Sequence, residues 1–346
     1  MPSSRPTIND VATRAGVSKS LVSLALSGST KVSDVSRQRI VEAAAELGYR
    51  RNAAARSLAV RRSHTIGVLI LDLHNPVFAE ILDGVQIEVR EHGYSTMLIS
   101  GGTDPQLEQA EIDTLLQFQV EGLILIAHRL PAHVLTAFAA EVPTVVVTRD
   151  DIAVPNMDSV SNDDVAGARM AVDHLVELGH SRIVHLSGGD NPVSHARADG
   201  YRLAMTQHGL AEHIHVVPGG LTDAQGYAAA RDALSSAPTA LFVANDVAAI
   251  GAIAAVENAN LRIPEDVSVI GYDGIRIGGM RRLNLTTIAQ PLADLGRLAA
   301  QHMLHRINNR AAPATRQHVS ATLVIRGTTG PVTAPTVMQR PTRETT

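Results

Sequence analysis

Apolar positions follow two different rhythms along the chain, and the rhythm changes near residue 64. Before it, apolar residues come in short helical groups punctuated by glycine. Thr7-Ile8-Asn9-Asp10 sets a hydroxyl at a cap position and a carboxylate three residues on, the pattern of a capping box. The helix it opens runs Val11 to Ala15 and stops at Gly16. Ser18 caps a second helix, Lys19 to Leu26, that ends at Ser27-Gly28. Ser33 caps a third, Asp34 to Leu47, stopped by Gly48, with Val35, Ile40, Val41, Ala44 and Leu47 as its packing face. Two short helices joined through Gly16-Val17 have helix-turn-helix spacing, and the second is placed to enter a DNA major groove.

From residue 65 the rhythm becomes strand and helix in alternation. Ile66 to Leu71 is a continuous apolar strand, and Val77, Ile81, Val85 and Val89 then recur at helical intervals up to Gly93. Strands over 96–99, 122–127 and 144–148 alternate with helices over 106–118 and 132–140. A second series begins near residue 160. Its helices cover 165–178, 196–207, 224–234 and 247–257, and its strands 182–186, 214–217, 240–244 and 267–271. Uninterrupted apolar strands separated by helices predict parallel sheets covered on both faces. The expected fold is therefore a small all-α helix-turn-helix domain plus a two-lobed α/β core of two doubly wound parallel sheets. Ligands of such a core bind at the carboxyl ends of the strands, between the lobes. The tail from Gly327 carries Pro331, Pro335 and Pro341 without a heptad pattern, and reads as disordered.

Charge sharpens this division. Residues 1–63 carry 11 Lys+Arg against 4 Asp+Glu, a net +7, whereas the remainder is net −11 and the whole chain −4. Phosphate affinity needs such a local excess rather than a basic protein overall. With no cysteine there is no disulfide and no thiolate metal site, which fits a cytoplasmic address. No apolar run is long enough to span a bilayer, and the first residues lack the apolar segment of a signal peptide. His213 and His215 alternate before a strand without a carboxylate cluster, so no metal is implied. Gly188-Gly189 and Gly219-Gly220 are turns, and no nucleotide fingerprint or cofactor motif accompanies them.

The order of motifs resembles the lactose-repressor (LacI/GalR) family of bacterial transcription factors. They are TINDVATRAGVS (7–18), VSDVSRQRIVEAAAELGYRRN (32–52), AARSLA (54–59), NPVFAEIL (75–82), DHLVELGHSRIVHLSG (173–188), RADGYRLAM (197–205), ANDVAAIGA (244–252), VSVIGYDG (267–274), LTTIAQP (285–291) and LVIRGTT (323–329). The resemblance runs from about Thr7 to Thr329. It implies a headpiece over 1–50, a hinge helix and linker over 51–63, and a periplasmic-binding-protein-like core over 64–329. Within that core the N-lobe would take 64–160 and 291–320, and the C-lobe 161–290 and 321–329, leaving 330–346 as the tail.

Carried over position by position, Lys19, Ser20 and Ser23 meet base edges, with Lys favouring guanine acceptors. Leu24 stands where many members carry Arg; it either touches a thymine methyl or packs the helix. Thr7, Ser18, Ser27, Lys31 and Ser33 are phosphate anchors, which set register without reading sequence. Asn52 caps the hinge segment that includes Ala55 and Arg56, and Leu58 is the wedge for a minor-groove step. A helix this short is marginal alone and would order on DNA beside its symmetry mate. Arg51 replaces a common Pro before the Asn.

In the core the same resemblance assigns Asp72, Asn75 and Phe78, Arg149, Arg197, Asn245 and Asp246, Asp273 and Gln290 to an effector site. Arg197 can grip hydroxyls or a carboxylate bidentately. Asp246 could instead cap a helix and Asp273 shape a turn. Two departures stand out: Leu221 replaces a stacking Trp, and Thr148 stands where Asp is frequent. The implied function is a repressor binding a palindromic operator as a homodimer, controlled by a sugar, polyol or nucleoside. Helix 77–91 and Met280-Arg281-Arg282 are its expected dimer face, and the nucleoid its place when bound. A corepressor-dependent regulator, a solute-binding protein and an enzyme on the same scaffold are the alternatives. Neither a nucleophile–base pair nor a phosphate loop supports the last, and fold alone warrants no chemistry.

Overall fold

The computed structural model describes residues 6–49, 62–102, 104–149 and 151–332. The chain divides into two compact units between His64 and Thr65. The first unit holds α1 (Ile8–Ala15), α2 (Lys19–Leu26) and α3 (Asp34–Glu46). Helix α1 starts at Ile8, three residues earlier than expected, because the capping box closes its first turn. The Thr7 amide and hydroxyl each donate to the Asp10 carboxylate at 2.7 Å. Gly16 takes φ 63°, the left-handed conformation a tight helix stop requires. Val11, Val22, Val32, Ile40 and Ala43 form the unit's core. The face of α3 differs from expectation: Val35 is 80% and Val41 51% exposed. Ile40 and Ala44 pack as expected, with Leu47 beside them, and Ala43 joins them. Val41 follows Ile40 by one residue, a rotation of about 100° that turns it out of the i, i+3, i+4 stripe. The hinge segment lies outside the described residues.

The second unit contains two six-stranded sheets of matching design. The first joins β1 (Thr65–Ile70), β2 (Ser95–Ser100), β3 (Gly122–Ile126), β4 (Thr144–Val147), β5 (Met157–Asn162) and β11 (Arg316–Val319) in the order β11-β5-β4-β3-β1-β2. Helices α4 (Pro76–Glu91), α5 (Pro105–Gln117), α6 (Ala132–Glu141) and α11 (Leu292–Asn308) belong to this N-lobe. The second joins β6 (Ile183–Leu186), β7 (His215–Val217), β8 (Ala240–Val243), β9 (Ser268–Asp273), β10 (Thr286–Ala289) and β12 (Thr322–Val324) in the order β12-β10-β9-β8-β6-β7. It is flanked by α7 (Asp164–Glu177), α8 (Pro192–Gln207), α9 (Asp223–Ala233) and α10 (Asp246–Asn258). Apolar residues are buried on both faces of each sheet, which explains the continuous apolar runs.

The second sheet is not wholly parallel: β12 runs antiparallel to β10, with Ile288 opposite Leu323. The chain arrives there from β11 through Ser320-Ala321 alone, with no helix to return it for a parallel strand. The apolar pattern also passes over β5, because its buried positions include Asp158, Ser159, Ser161 and Asn162. Arg306 of α11 neutralises Asp158 there, its Nη2 2.7 Å from the carboxylate. Helix α11 crosses α4 at glycines on both partners. A Cβ on Gly84 would collide with the Ala293 carbonyl, and one on Gly296 with that of Ile81.

The expected disorder of the tail does not hold over its first residues. Thr328 and Thr329 are buried, the Gly330 amide donates to Ser268 Oγ at 3.1 Å, and Val332 to the Leu178 carbonyl at 3.0 Å. These backbone bonds fasten the segment to the C-lobe as far as Val332. Residues 333–346 lie outside the described part.

Candidate functional site

Two surfaces gather the expected functional residues, one in each unit. In the first, the α2 residues Lys19, Ser20, Ser23 and Leu24 are all exposed, Leu24 by 40%. Leu24 is thus outside the fully buried core of this unit. Thr7, Ser18, Ser27, Lys31 and Ser33 are exposed as well. Three of these hydroxyls are also N-caps: Thr7 accepts from Asp10, Ser18 from Leu21 at 3.2 Å and Ser33 from Ser36 at 3.3 Å. Arg37, not anticipated, secures the turn after α2 by donating to the carbonyls of Ala25 (2.9 Å) and Ser29 (2.6 Å). Asn52, Ala55, Arg56 and Leu58 lie outside the described residues.

The second surface is a cavity of about 490 Å³ between the lobes of the core, lined by the carboxyl ends of strands from both sheets. Asn75 and Phe78 line it after β1, Thr148 and Arg149 after β4, and Asn162 at the end of β5, with Asp164 at the start of α7 on the C-lobe side. From the C-lobe come Asn191 and Ser194 after β6, Leu221 after β7, Asn245 after β8, Asp273 at the end of β9 and Gln290 after β10.

Arg197 is the hub of the C-lobe wall. Its Nε donates to Asp164 at 2.8 Å, its Nη1 to the Ala244 carbonyl at 2.5 Å, and Asp273 lies 3.4 Å away. The guanidinium stacks 3.7 Å over the Tyr272 ring. Burial works against its charge, but Asp164 and Asp273 more than offset that, so it stays cationic. Asp273 also accepts from Gln290 Nε2 at 2.8 Å. Burial raises its carboxyl pKa to about 6 even with Arg197 and Gln290 beside it.

Three of the nine non-glycine residues with positive φ among the described residues lie at these strand ends. Ala127, Thr148 and Asp273 take φ of 57°, 72° and 118°, sparsely populated for residues with a Cβ and least tolerable for the branched Thr148. Strain persists where surrounding structure fixes it, and clusters at binding sites.

Two expected residues stand apart from the cavity. Asp72 turns back on its own loop, accepting from the His74 amide at 2.9 Å. Asp246 is fully buried below the floor, accepting from Thr287 Oγ1 (2.7 Å) and the Gly274 and Ile275 amides (2.8 and 2.9 Å). It shapes the Asp273 turn rather than meeting a ligand. The helix cap is Asn245, whose Oδ1 accepts from the Ala248 amide at 2.9 Å. Burial and the nearby Asp273 charge raise the Asp246 pKa to about 7.

The sequence reading named no residue after β3, yet His128 and Arg129 line the cavity from there. Their signal was positional only: they directly follow a fully buried strand. Asn162 and Asp164 were passed over together with β5.

The first unit matches the model of bacterial regulatory proteins of the lacI family over residues 7–52, and residues 172–329 match that of a periplasmic binding protein-like domain. The ribose operon repressor of Escherichia coli K12 is 35% identical over 330 residues, covering 93% of this chain and 99% of its own. The chain belongs to the lacI family. Among solved structures, the lac repressor dimer bound to operator and the anti-inducer ONPF superposes with a TM-score of 0.84. It is 29% identical and covers 94% of this chain and 100% of that one. A lacI-family regulator from Enterococcus faecium with bound ribose is 28% identical, with a TM-score of 0.72 over 78% of this chain and 100% of its own. Members of the lacI family are transcriptional regulators.

Proposed function

We propose that this chain is a repressor that binds a palindromic operator as a homodimer, and that a pentose-class effector in the inter-lobe cavity releases it. The observation that carries the effector class is the Arg197 hub. A buried guanidinium fixed by two carboxylates, with Gln290 and Asn245 on the same wall, offers paired donors and acceptors to neighbouring hydroxyls. The similarity to ribose operon repressors and to a ribose-bound regulator supports the same class. Thr7, Ser18, Ser27, Lys31 and Ser33 anchor phosphates, while Lys19, Ser20, Ser23 and Leu24 read bases. The resemblance gives Asn52, Ala55, Arg56 and Leu58 the further DNA contacts of this proposal.

Exposed apolar side chains support the dimer face: Ile87 on α4 is 59% exposed and Met280 60%. A two-fold dimer pairs two recognition helices with two half-sites, so operator symmetry follows protein symmetry. The protein acts in the cytoplasm, at the DNA, and returns its effector chemically unchanged. Fluorescence anisotropy on its own upstream DNA tests this. D-ribose is expected to lower operator affinity at physiological salt. Operator binding that requires D-ribose would make it a corepressor system, and specific binding indifferent to every pentose would reject the effector class.

A further inference from the structure

Asp273 opens a short segment that meets three parts of the molecule in turn. Its side chain lies on the cavity wall, bonded to Arg197 and Gln290. Ile275, two residues on, is 1% exposed and sits in the hydrophobic core that β1, α4 and α11 build in the N-lobe. Among the described residues it is the only buried one that the C-lobe places there, and the partly buried Val247 packs against the same core from α10. Arg276 then meets α4, its amide 3.4 Å and its Nε 3.9 Å from Glu80 Oε1. A single 3-10 turn, Arg276–Gly279, leads on to Met280, 60% exposed on the proposed dimer face.

Asp246, fully buried, sets the geometry of this segment. One of its carboxylate oxygens accepts from the Gly274 and Ile275 amides, the other from Thr287 Oγ1 of β10. Glycine clears the room on both sides: a Cβ on Gly271 would collide with that carboxylate, and one on Gly274 with Ala289. Three donors converge on one buried acceptor, so losing any of them leaves the carboxylate short of partners away from water. The end of β9, the start of α10 and β10 are thereby tied into one piece with the turn. Asp273 itself takes φ 118°, a conformation that persists only where neighbours fix it. Val247 and Ile275, the two C-lobe residues on the N-lobe core, each lie within one residue of these bonds.

We infer that the segment from Asp273 to Met280 is the link that carries effector occupancy to the N-lobe and the dimer face, with Asp246 as its positioning residue and Ile275 as the contact that transmits. This rests on the effector site proposed above. A ligand that bears on Asp273 bears on a fixed turn, and shifting the turn shifts Ile275 within the N-lobe core. Close-packed cores switch between discrete packings rather than deforming smoothly, so Ile275 must seat differently or the lobes must turn to follow it. The Arg276–Glu80 pair follows rather than drives: the Arg276 side chain is 81% exposed, and exposed ion pairs contribute little. A buried aliphatic side chain is the stronger tie, since removing it empties space in a packed core.

Operator anisotropy of the full-length protein, with and without saturating D-ribose, gives a coupling factor as the ratio of the two affinities. Ile275→Ala is expected to bring that factor to within about twofold of one, while D-ribose affinity by calorimetry stays within about threefold of wild type. A role in stability alone would leave the factor unchanged. Asp246→Ala should lower both quantities. Asp246→Asn should retain the wild-type factor, because its amide can accept from both backbone donors and donate to Thr287 Oγ1. A folded Ile275→Ala protein with the wild-type factor, or Asp246→Asn coupling no better than Asp246→Ala, would overturn the link. Hydrogen exchange of the wild-type protein needs neither a variant nor an effector: operator should change the exchange of peptides over 273–280. Identical exchange there with and without operator would also overturn it. If D-ribose leaves wild-type operator binding unchanged, the effector class fails, and the exchange experiment still decides the link.

Discussion

The N-lobe and C-lobe walls of the cavity are built on sheets of the same strand order, yet their polar groups are satisfied differently. In the C-lobe, Arg197 is bonded to Asp164, Asp273 and a carbonyl before any ligand arrives. In the N-lobe, the backbone is clamped, and His128 Nδ1, Arg129 Nε and Thr148 Oγ1 are buried without a hydrogen-bond partner. A site that must both hold a ligand and respond to it gains from this asymmetry. A ligand that binds the closed arrangement better shifts the population toward it by its differential affinity alone.

The largest break in this comparison is to the C-lobe wall. Arg197→Met leaves Asp164 and Asp273 as buried carboxylates without their cation. Stability should fall by about 3–5 kcal/mol, as for other buried pairs stripped of one partner, and effector response should vanish. Urea denaturation followed by circular dichroism reads the first and operator anisotropy the second.

Acid should act next. Asp273 accepts hydrogen bonds as a carboxylate, and with its pKa near 6 it protonates below that pH. Affinity for D-ribose is expected to fall as pH drops below 6, by about tenfold per unit, and Asp273→Asn should flatten the profile. Stability has the opposite sign for this group. Its folded pKa lies above the unfolded value of 3.8, so its contribution declines as pH rises from about 4 to 6. The buried His185 opposes it: burial lowers its pKa from 6.5 to about 4, and the stability it allows is lost as pH falls through that window.

Loosening the N-lobe wall should cost less. Glu108→Ala frees the Arg129 amide, and effector affinity is expected to drop roughly tenfold, the size of one lost charge-assisted hydrogen bond. Glu108→Gln, which keeps an acceptor, should stay near wild type. Calorimetry distinguishes the two, and an Ala variant with unchanged affinity would show that the clamp does not shape the wall. The smallest effect belongs to the headpiece. Ser18→Ala removes the α2 cap and should cost about 1 kcal/mol of that unit's stability, read by thermal melting.

The same asymmetry explains what was legible in the sequence. The three headpiece helices announced themselves through Thr7, Ser18 and Ser33, because a cap is a local bond between residues three apart. Arg197, Asn245, Asp273 and Gln290 sit in or beside the family-like motifs, Asn245 and Asp273 just beyond predicted strands, and all four line the cavity. His128 and Arg129 carry no motif, and their importance arises from Glu108 and Arg149, about twenty residues away on either side. Strand β5 was hidden because Arg306, far along the chain, neutralises a strand residue that hydrophobicity reads as a loop. The two readings of Asp246 could not be separated for a related reason. Its partners Thr287, Gly274 and Ile275 are distant in sequence, so its buried bonding could not be told from a ligand contact.

The central claim is that the inter-lobe cavity and the DNA-reading helices are thermodynamically coupled. Linkage requires that coupling to be reciprocal: if D-ribose weakens operator binding by some factor, operator must weaken D-ribose binding by the same factor. The direct test is calorimetric titration of D-ribose into the full-length protein, alone and saturated with its operator duplex, set beside the anisotropy titration of operator with and without D-ribose. The account predicts two equal factors, both well above one. D-ribose affinity unchanged by saturating operator would contradict it.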